Sequence, residues 1–348
     1  MLHVSTPNRA AFELLTTALE KIDLFQRSRE WALLHMAQES LEQALQKDPD
    51  YLGALFYSGI VSDLDGRPAD APKFFEKVIA AAPNAQVHDE ALYNLGVAHY
   101  HQFSQDHLLN AKKAFRQVID STKDRDLRLL AQANLAQAYA MSMHPTAEQM
   151  SKRQPKEPFK TVYPEIELQY SAAINEGSLC LKAVAAESHL DTQKRKAITA
   201  TAQNALGMAE MYKADYVESD QKNRLKSITK ALGHFNLAAA NLPTDWGNTC
   251  DMASAYFRRS VWAESALEQA EAFEKAKSLL NLVLTDLYPG YGFAYYEMGR
   301  LLRCHGLFSP SIEQFDKAKA VDAKNRAVSD RRLLAERERA ENKDRSFP

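Results

Sequence analysis

One pattern recurs along the 348-residue chain and constrains its fold more than any other feature. A small residue is followed four positions later by a large apolar residue, and three positions after that by another small or β-branched residue. Spacings of four and three place these positions on one face of an α-helix. The copies are Ala37, Leu41 and Ala44; Ala71, Phe75 and Val78; Ala111, Phe115 and Val118; Ala231, Phe235 and Ala238; Ala276, Leu280 and Val283; and Ser311, Phe315 and Ala318.

A second pattern lies upstream of most copies, and its central residue is glycine or alanine. Glycine inside a helix costs roughly 1 kcal/mol relative to alanine. Its recurrence at one register therefore predicts that a neighbouring helix passes too close for a Cβ atom, so that a bulky residue at Gly96 should be destabilising. The central residues are Gly59, Gly96, Ala136, Gly207, Ala253 and Gly299, and all except Gly59, which follows Ser58, directly follow a large apolar residue.

Together the two patterns resemble the tetratricopeptide repeat (TPR), a helix–turn–helix unit of 34 residues. The best copies run from Leu52 to Ala85 and from Gly292 to Asn325, and each has 12 residues from its glycine to the next small residue. The resemblance implies an all-α fold, namely a TPR-type helical-hairpin solenoid with irregular insertions and a C-terminal capping helix. The tryptophan that opens the family's repeat is absent from every copy.

Irregularities in the array predict its organisation. Residues 1–141 are N-terminal helical repeats, and 142–164 are a proline-containing break or linker. Residues 165–326 are C-terminal repeats, in which the insertion 215–226 either lengthens both helices or forms a projecting loop. Residues 327–348 form a charged capping helix and tail, in which Arg339 is expected to be solvated and its replacement nearly silent.

Composition and motifs argue against nucleic-acid binding, membrane insertion and catalysis. The net charge of −2 offers no basic surface for nucleic acid, and no stretch approaches the ~20 apolar residues of a membrane span. No phosphate-binding glycine loop, metalloprotease motif or Cys pair is present. We therefore predict a cytoplasmic protein that is not an enzyme and needs no cofactor and no metal, with Cys180, Cys250 and Cys304 acting as small hydrophobic residues.

The resemblance also implies which residues bind a partner, because the first helix of each TPR lines a concave groove. Aromatic side chains can bury area there while amides pair with peptide backbone. Further inward positions are Ile60, Val97, Met141, Asn204, Met208, Tyr212, Asp251, Ser254, Glu297 and Arg303. The predicted partner-binding residues are Phe56, Tyr93, Asn94, His101, Asn134, Gln137, Phe257, Arg258, Tyr296 and Arg300.

Three functions are compatible with such a groove. The first is a scaffold or adaptor that binds a peptide or a partner domain, and the second is a signal-responsive regulator with 142–164 as its hinge. The third is a non-catalytic subunit of a larger enzyme or defence assembly that binds through its outer helices, which a groove filled by the chain itself favours. Self-association is compatible with all three. Asn94 fits one position of the clamp with which some family members bind acidic chaperone tails, but the residues of the preceding and following repeats do not.

Overall fold

The computed structural model describes residues 8–28, 30–83, 86–146, 149, 159–325 and 330–346. These residues form α-helices and one π-helical turn, with no strand among them, so the predicted all-α class is confirmed. The helices are α1 (Arg9–Ser28), α2 (Trp31–Lys47), α3 (Leu52–Leu64), α4 (Pro72–Ala81), α5 (Gln86–Tyr100), α6 (Gln105–Ser121), α7 (Arg125–Met141), α8 (Phe159–Val162), α9 (Ile166–Ala186), α10 (Thr192–Tyr216), α11 (Gln221–Asn241), α12 (Trp246–Trp262), α13 (Ala266–Leu282) with the π-helical turn Val283–Leu287, α14 (Gly292–Cys304), α15 (Phe308–Asn325) and α16 (Asp330–Glu341).

Consecutive helices pair as hairpins, as the repeat pattern predicts. The pairs include α1 with α2, α3 with α4, α5 with α6, α10 with α11, α12 with α13, and α14 with α15. The residues of the small–large–small pattern lie on the second helix of each pair or, for Ala71 and Val283, directly at its end, and they are at most 1% exposed in all six copies. The pattern is therefore the core-facing stripe of the hairpins.

The helical glycines explain how closely the hairpins pack. A Cβ atom built on Gly96 would lie 2.7 Å from the ring of Phe115 in the paired helix. The same contact recurs between Gly207 and Phe235 at 2.6 Å. It also joins Gly59 to Phe75 and Gly299 to Phe315, although the lengths of the connecting segments differ. The predicted close approach is confirmed, and it is made to the aromatic ring of the repeat pattern.

Side-chain caps set the starts of the longer helices. Asp191, Asp220 and Asp245 each accept a backbone N–H from the first turn of α10, α11 and α12. The insertion 215–226 lengthens α10 and α11, which are separated by only four residues, and does not form a projecting loop. The turn 288–291 separates two hairpins, as its glycine and proline content predicts.

The chain divides into two compact units, and the division falls within α7 between Ala131 and Gln132. The proline-containing break predicted from the sequence lies later, at 142–164. Of that segment, 147–148 and 150–158 lie outside the described residues, as do 326–329 of the C-terminal repeats and cap. No helix in the described part of the chain is both long and apolar enough to span a bilayer.

The expectation that Arg339 is solvated is wrong. Its Nη1 lies 3.1 Å from Oε1 of Glu336, and its Nε lies 2.8 Å from Oδ2 of Asp344. Its Nη2 also donates to the carbonyl oxygen of Ser346 at 2.8 Å. The tail that follows α16 therefore folds back onto that helix, and Nη1 of Arg303 on α14 also donates to the carbonyl oxygen of Ser346. The interleaved charges of this region do not predict these contacts.

Candidate functional site

In the first unit, α3 and α5 are consecutive first helices of hairpins. Their inward positions stay partly accessible: Ile60, Tyr93, Asn94 and Val97 are half-buried, and His101 is exposed. We call Ile60, Asp63, Tyr93, Asn94, Val97 and His101 the first-unit strip. It presents aliphatic, aromatic, amide and charged groups from two helices, which suits an extended peptide or a partner helix.

An ion pair joins the two helices of this strip. Nδ1 of His101 lies 2.9 Å from each carboxylate oxygen of Asp63. Desolvation acts to lower the pKa of His101, but the charge and hydrogen bond of Asp63 outweigh it, so the pKa of His101 is raised. Because the imidazole remains 43% exposed, the pair contributes little to stability. It does hold consecutive first helices together at the accessible face.

The remaining residues predicted in this unit have different surroundings. The ring of Tyr93 packs against that of Phe115 with a centroid distance of 5.8 Å. Nδ2 of Asn94 donates to the carbonyl oxygen of Glu90 at 2.8 Å. Phe56 is only 4% exposed, and its ring lies 5.9 Å from that of Phe75. Phe56 is therefore a core residue of its hairpin, whereas Tyr93 and Asn94 keep accessible surface.

In the second unit the inward positions form a continuous set of hydrogen bonds. Nε2 of Gln137 on α7 donates to Oδ1 of Asn204 on α10 at 2.9 Å. Nδ2 of Asn204 donates in turn to Oδ2 of Asp251 on α12 at 3.0 Å, and it also lies 3.2 Å from Oδ1 of Asn248. Asn134, also on α7, is half-buried. Amides on successive first helices thus bind one another.

Charged residues extend this arrangement towards α14. Arg258 on α12 makes a bidentate pair with Asp215 on α10, with distances of 2.9 Å from Nε to Oδ1 and 2.6 Å from Nη2 to Oδ2. Oγ of Ser254 donates to Oε2 of Glu297 on α14 at 2.9 Å. Nη1 of Arg300 lies 2.6 Å from the other oxygen of Glu297.

Four predicted partner-binding residues meet in this cluster. The guanidinium of Arg300 lies over the rings of Phe257 and Tyr296, 5.4 and 5.6 Å from their centroids. Phe257, Arg258, Tyr296 and Arg300 are all at most 5% exposed. Their side chains are used within the chain itself. We call Gln137, Asn204, Asp215, Asp251, Arg258, Glu297 and Arg300 the second-unit network.

Burial sets the protonation of the carboxylates in the network. Desolvation raises the pKa of Asp251 to about 7, helped by the nearby Asp245 and Glu297 and opposed by the hydrogen bond from Asn204. For Glu297, desolvation acts in the same direction, but the charges of Arg300 and Arg258 outweigh it and lower its pKa. A carboxyl group that titrates near neutrality thus lies beside one that stays ionised.

Sequence reasoning identified inward positions but missed several of their partners. Asp215 was assigned to an insertion and Glu336 to a solvated cap. The sequence does contain a signal for Asp215. The lengthened α10 carries this acidic residue one helical turn after its last inward position, and Arg258 on the next first helix, α12, lies opposite it.

The cysteines agree with their packing interpretation, and two histidines of the first unit pack against each other. His99 is half-buried, and its ring stacks on that of His107 at 5.3 Å. Desolvation and His107 both lower the pKa of His99. Cys180 and Cys250 are buried and Cys304 is half-buried. Across the described ranges, no three His, Cys, Asp or Glu side chains are grouped as metal ligands would be.

Comparisons with known proteins bear on the fold. No protein-family model matches the sequence, and no curated protein sequence matches it. A crystal structure of a tetratricopeptide repeat protein from Parabacteroides merdae is 13% identical, covers 96% of this chain and 100% of that chain, and superposes with a TM-score of 0.55. The APC/C hetero-tetramer Cut9–Hcn1 is 11% identical, with 96% of this chain and 54% of that chain covered and a TM-score of 0.49.

A complex of the TPR2AB domain of yeast Sti1 with pHSP90 gives 14% identity and 95% and 98% coverage, with a TM-score of 0.30. Identities this low establish the fold alone. The chain has a divergent TPR-like fold, an all-α helical solenoid as the repeat pattern predicts.

Proposed function

We propose that the chain is a non-catalytic protein-interaction scaffold that holds a peptide or partner domain along the first-unit strip. The observation that carries the proposal is the accessibility of Tyr93, Asn94, Val97 and His101 on α5 beside Ile60 on α3. On α12 and α14 of the second unit, by contrast, the predicted partner-binding residues are buried among their own neighbours. Helical-hairpin repeats present such faces to other polypeptides, which supports a binding role.

The chemistry of the strip suits a polypeptide ligand. Tyr93, Ile60 and Val97 offer partly exposed apolar surface that a partner would bury. The carboxamide of Asn94 uses one N–H on Glu90, and an amide carries a second N–H and an acceptor oxygen that can pair with a peptide backbone. Each such bond contributes only about 1 kcal/mol net, so burial of the apolar side chains must supply most of the affinity.

The test compares full-length variants in affinity capture from native lysate with quantitative mass spectrometry. The double change Tyr93→Ala with Val97→Ser should remove the captured partner, while circular dichroism shows the helices retained. The matched control is Leu109→Ser, which changes a side chain that is 48% exposed on the second helix of the same hairpin. Equal capture by the double variant and the control would exclude the first-unit strip.

A second candidate function is that of a non-catalytic subunit that binds through its outer helices. It is favoured by the filling of the inner face in the second unit and by leucines exposed on second helices there, including Leu237 at 51% and Leu267 at 70%. Leu237→Ser combined with Leu267→Ser should then abolish capture while the Tyr93 and Val97 variant retains it. The two candidates thus predict opposite outcomes for the same pair of variants.

A further inference from the structure

Helix α14, the first helix of the last hairpin, carries a fully buried arginine that binds a peptide segment of the same chain. Arg303 is 0% exposed, and its Nε lies 3.0 Å from Oε2 of Glu336 on α16. Its Nη1 donates to the carbonyl oxygens of Asp344 at 2.6 Å and Ser346 at 3.0 Å. A guanidinium that donates to two backbone carbonyls of a segment recognises that segment by its backbone.

A second arginine recognises the same segment by its side chains. Nε of Arg339 lies 2.8 Å from Oδ2 of Asp344, and its Nη2 donates to Oγ of Ser346 at 2.6 Å. The other oxygen of Asp344 accepts the backbone N–H of Ser346 at 2.8 Å and its hydroxyl at 2.6 Å. The segment is therefore an Asx turn, and its carboxylate is required both for its shape and for its binding.

The site also accommodates Arg345, the residue between Asp344 and Ser346. The guanidinium of Arg345 lies 5.9 Å from the ring centroid of Phe308. Gly306 has a φ of +79°, and a Cβ atom there would lie 2.6 Å from Nη2 of Arg345. A glycine at this turn thus satisfies the left-handed backbone and leaves room for the arginine.

Charge and unused hydrogen-bonding capacity indicate what the site binds. Without the segment, Arg303 and Arg339 face a single carboxylate, that of Glu336, so the site carries an excess positive charge. With the segment bound, Nη2 of Arg303 is still buried with no hydrogen-bond partner among the residues that the structure describes. A buried N–H without a partner is costly, and a ligand with one more acceptor would satisfy it.

We propose that Arg303, Glu336, Arg339, Gly306 and Phe308 form a binding site for a peptide segment whose aspartate closes an Asx turn, and that the chain's own residues 344–346 occupy this site in cis. A segment of the same chemistry from a partner protein displaces the tail. The site is separate from the first-unit strip and does not depend on it. The cis occupant lowers the apparent affinity for the partner by the fraction of time that the site is filled.

One residue allows the tail to be released without touching the site. Lys343 has a φ of +56° where the chain turns back from α16, and its side chain is exposed. A β-branched residue is strongly disfavoured in this left-handed conformation, whereas glycine adopts it freely. Lys343→Val should release the tail, and Lys343→Gly is the matched variant that removes the same side chain and keeps the turn.

The probe is a fluorescent, acetylated peptide with the sequence of residues 342–348, titrated by anisotropy into the full-length variants. Lys343→Val should bind it about tenfold more tightly than Lys343→Gly or the unchanged chain do, as expected from the cost of a branched residue at positive φ. Asp344→Asn in the full chain should also strengthen binding, because it weakens the cis segment. The same change in the peptide should weaken binding, as should Arg339→Gln in the Lys343→Val chain.

The proposal is overturned if neither Lys343→Val nor Asp344→Asn binds the peptide more tightly than the unchanged chain, with circular dichroism confirming that both are folded. It is also overturned if the peptide carrying Asn in place of Asp344 binds equally well. Sedimentation tests the source of the occupant. Concentration-dependent dimers of Lys343→Val would show that the tail of a second copy, and not a partner protein, fills the site.

Discussion

The two compact units share their hairpin packing but differ in whether the inward-facing side chains of their first helices stay accessible. In both, a helical glycine receives a phenylalanine ring of the paired helix, as in Gly96 with Phe115 and Gly207 with Phe235. In the first unit, Tyr93 and Asn94 keep accessible surface. In the second, equivalent positions carry buried charges and amides that bind one another. The repeat pattern thus specifies the hairpin and leaves the inner face free to diverge.

Breaking the buried ion pair between α10 and α12 of the second unit should have the largest effect. Arg258→Met leaves Asp215 unpaired in a site where both side chains are at most 7% exposed, and should destabilise the protein by about 4 kcal/mol. Denaturant unfolding measures the loss. The double change Arg258→Met with Asp215→Leu should recover most of it, because it removes the stranded charge. A small loss in the single variant would mean that the network is as solvated as the first-unit strip.

Crowding the helical glycines tests what the two units share. Gly96→Leu and Gly207→Leu should each cost about 3 kcal/mol, because the added side chain must displace a packed ring. Gly233 is the matched control, since a Cβ atom there has no neighbour within 4 Å. Gly233→Ala should be neutral or stabilise by roughly 0.5–1 kcal/mol. A large difference between the Gly96 and Gly207 variants in thermal melts would show that the hairpins pack differently in the two units.

The pH dependence of Asp251 provides a test of the network's burial. Its folded pKa of about 7 lies above the unfolded value, so its contribution to stability is present in acid and is lost as pH rises through about 7. Asp251→Asn mimics the protonated carboxyl. It should be neutral near pH 4 and stabilising by roughly 2 kcal/mol near pH 8. Equal melting temperatures of the two proteins at both pH values would place Asp251 in water.

The smallest effect is expected at the exposed pair of the first-unit strip. The pKa of His101 is raised by Asp63, so this pair stabilises the fold below the unfolded pKa of about 6.5 and loses its effect as pH rises through the folded pKa. His101→Gln should lower the melting temperature slightly near pH 5.5 and leave it unchanged near pH 9. Its cost should stay under about 1 kcal/mol. A loss as large as that of Arg258→Met would erase the contrast between the units.

Much of the fold could be predicted because it depends on local spacing. The small–large–small pattern marked the buried face of every second helix that carries it, and the glycine register marked where the paired helix comes near. Periodicity is a property of a single helix, so one sequence suffices to read it.

The candidate site was less predictable, since inward position does not determine accessibility. Tyr93 and Tyr296 occupy the same repeat position, yet one is half-buried and the other is 1% exposed. The difference lies in their neighbours: Tyr296 belongs to a buried cluster that includes Leu333 and Ala340 of α16. Such partners lie on other helices, at separations that the repeat pattern does not encode.

By itself, the sequence determined the all-α class, the hairpin register and the core-facing residues, because these follow from helical spacing and from the steric demand of a glycine beside a ring. Only the tertiary structure decided which inward side chains were used internally and where the tail docked. Those outcomes depend on long-range pairs, such as Arg258 with Asp215 and Arg303 with the carbonyl of Ser346. A charge on a helix face is compatible with solvent or with a partner, and the choice is made when another helix brings the opposite charge within hydrogen-bonding distance.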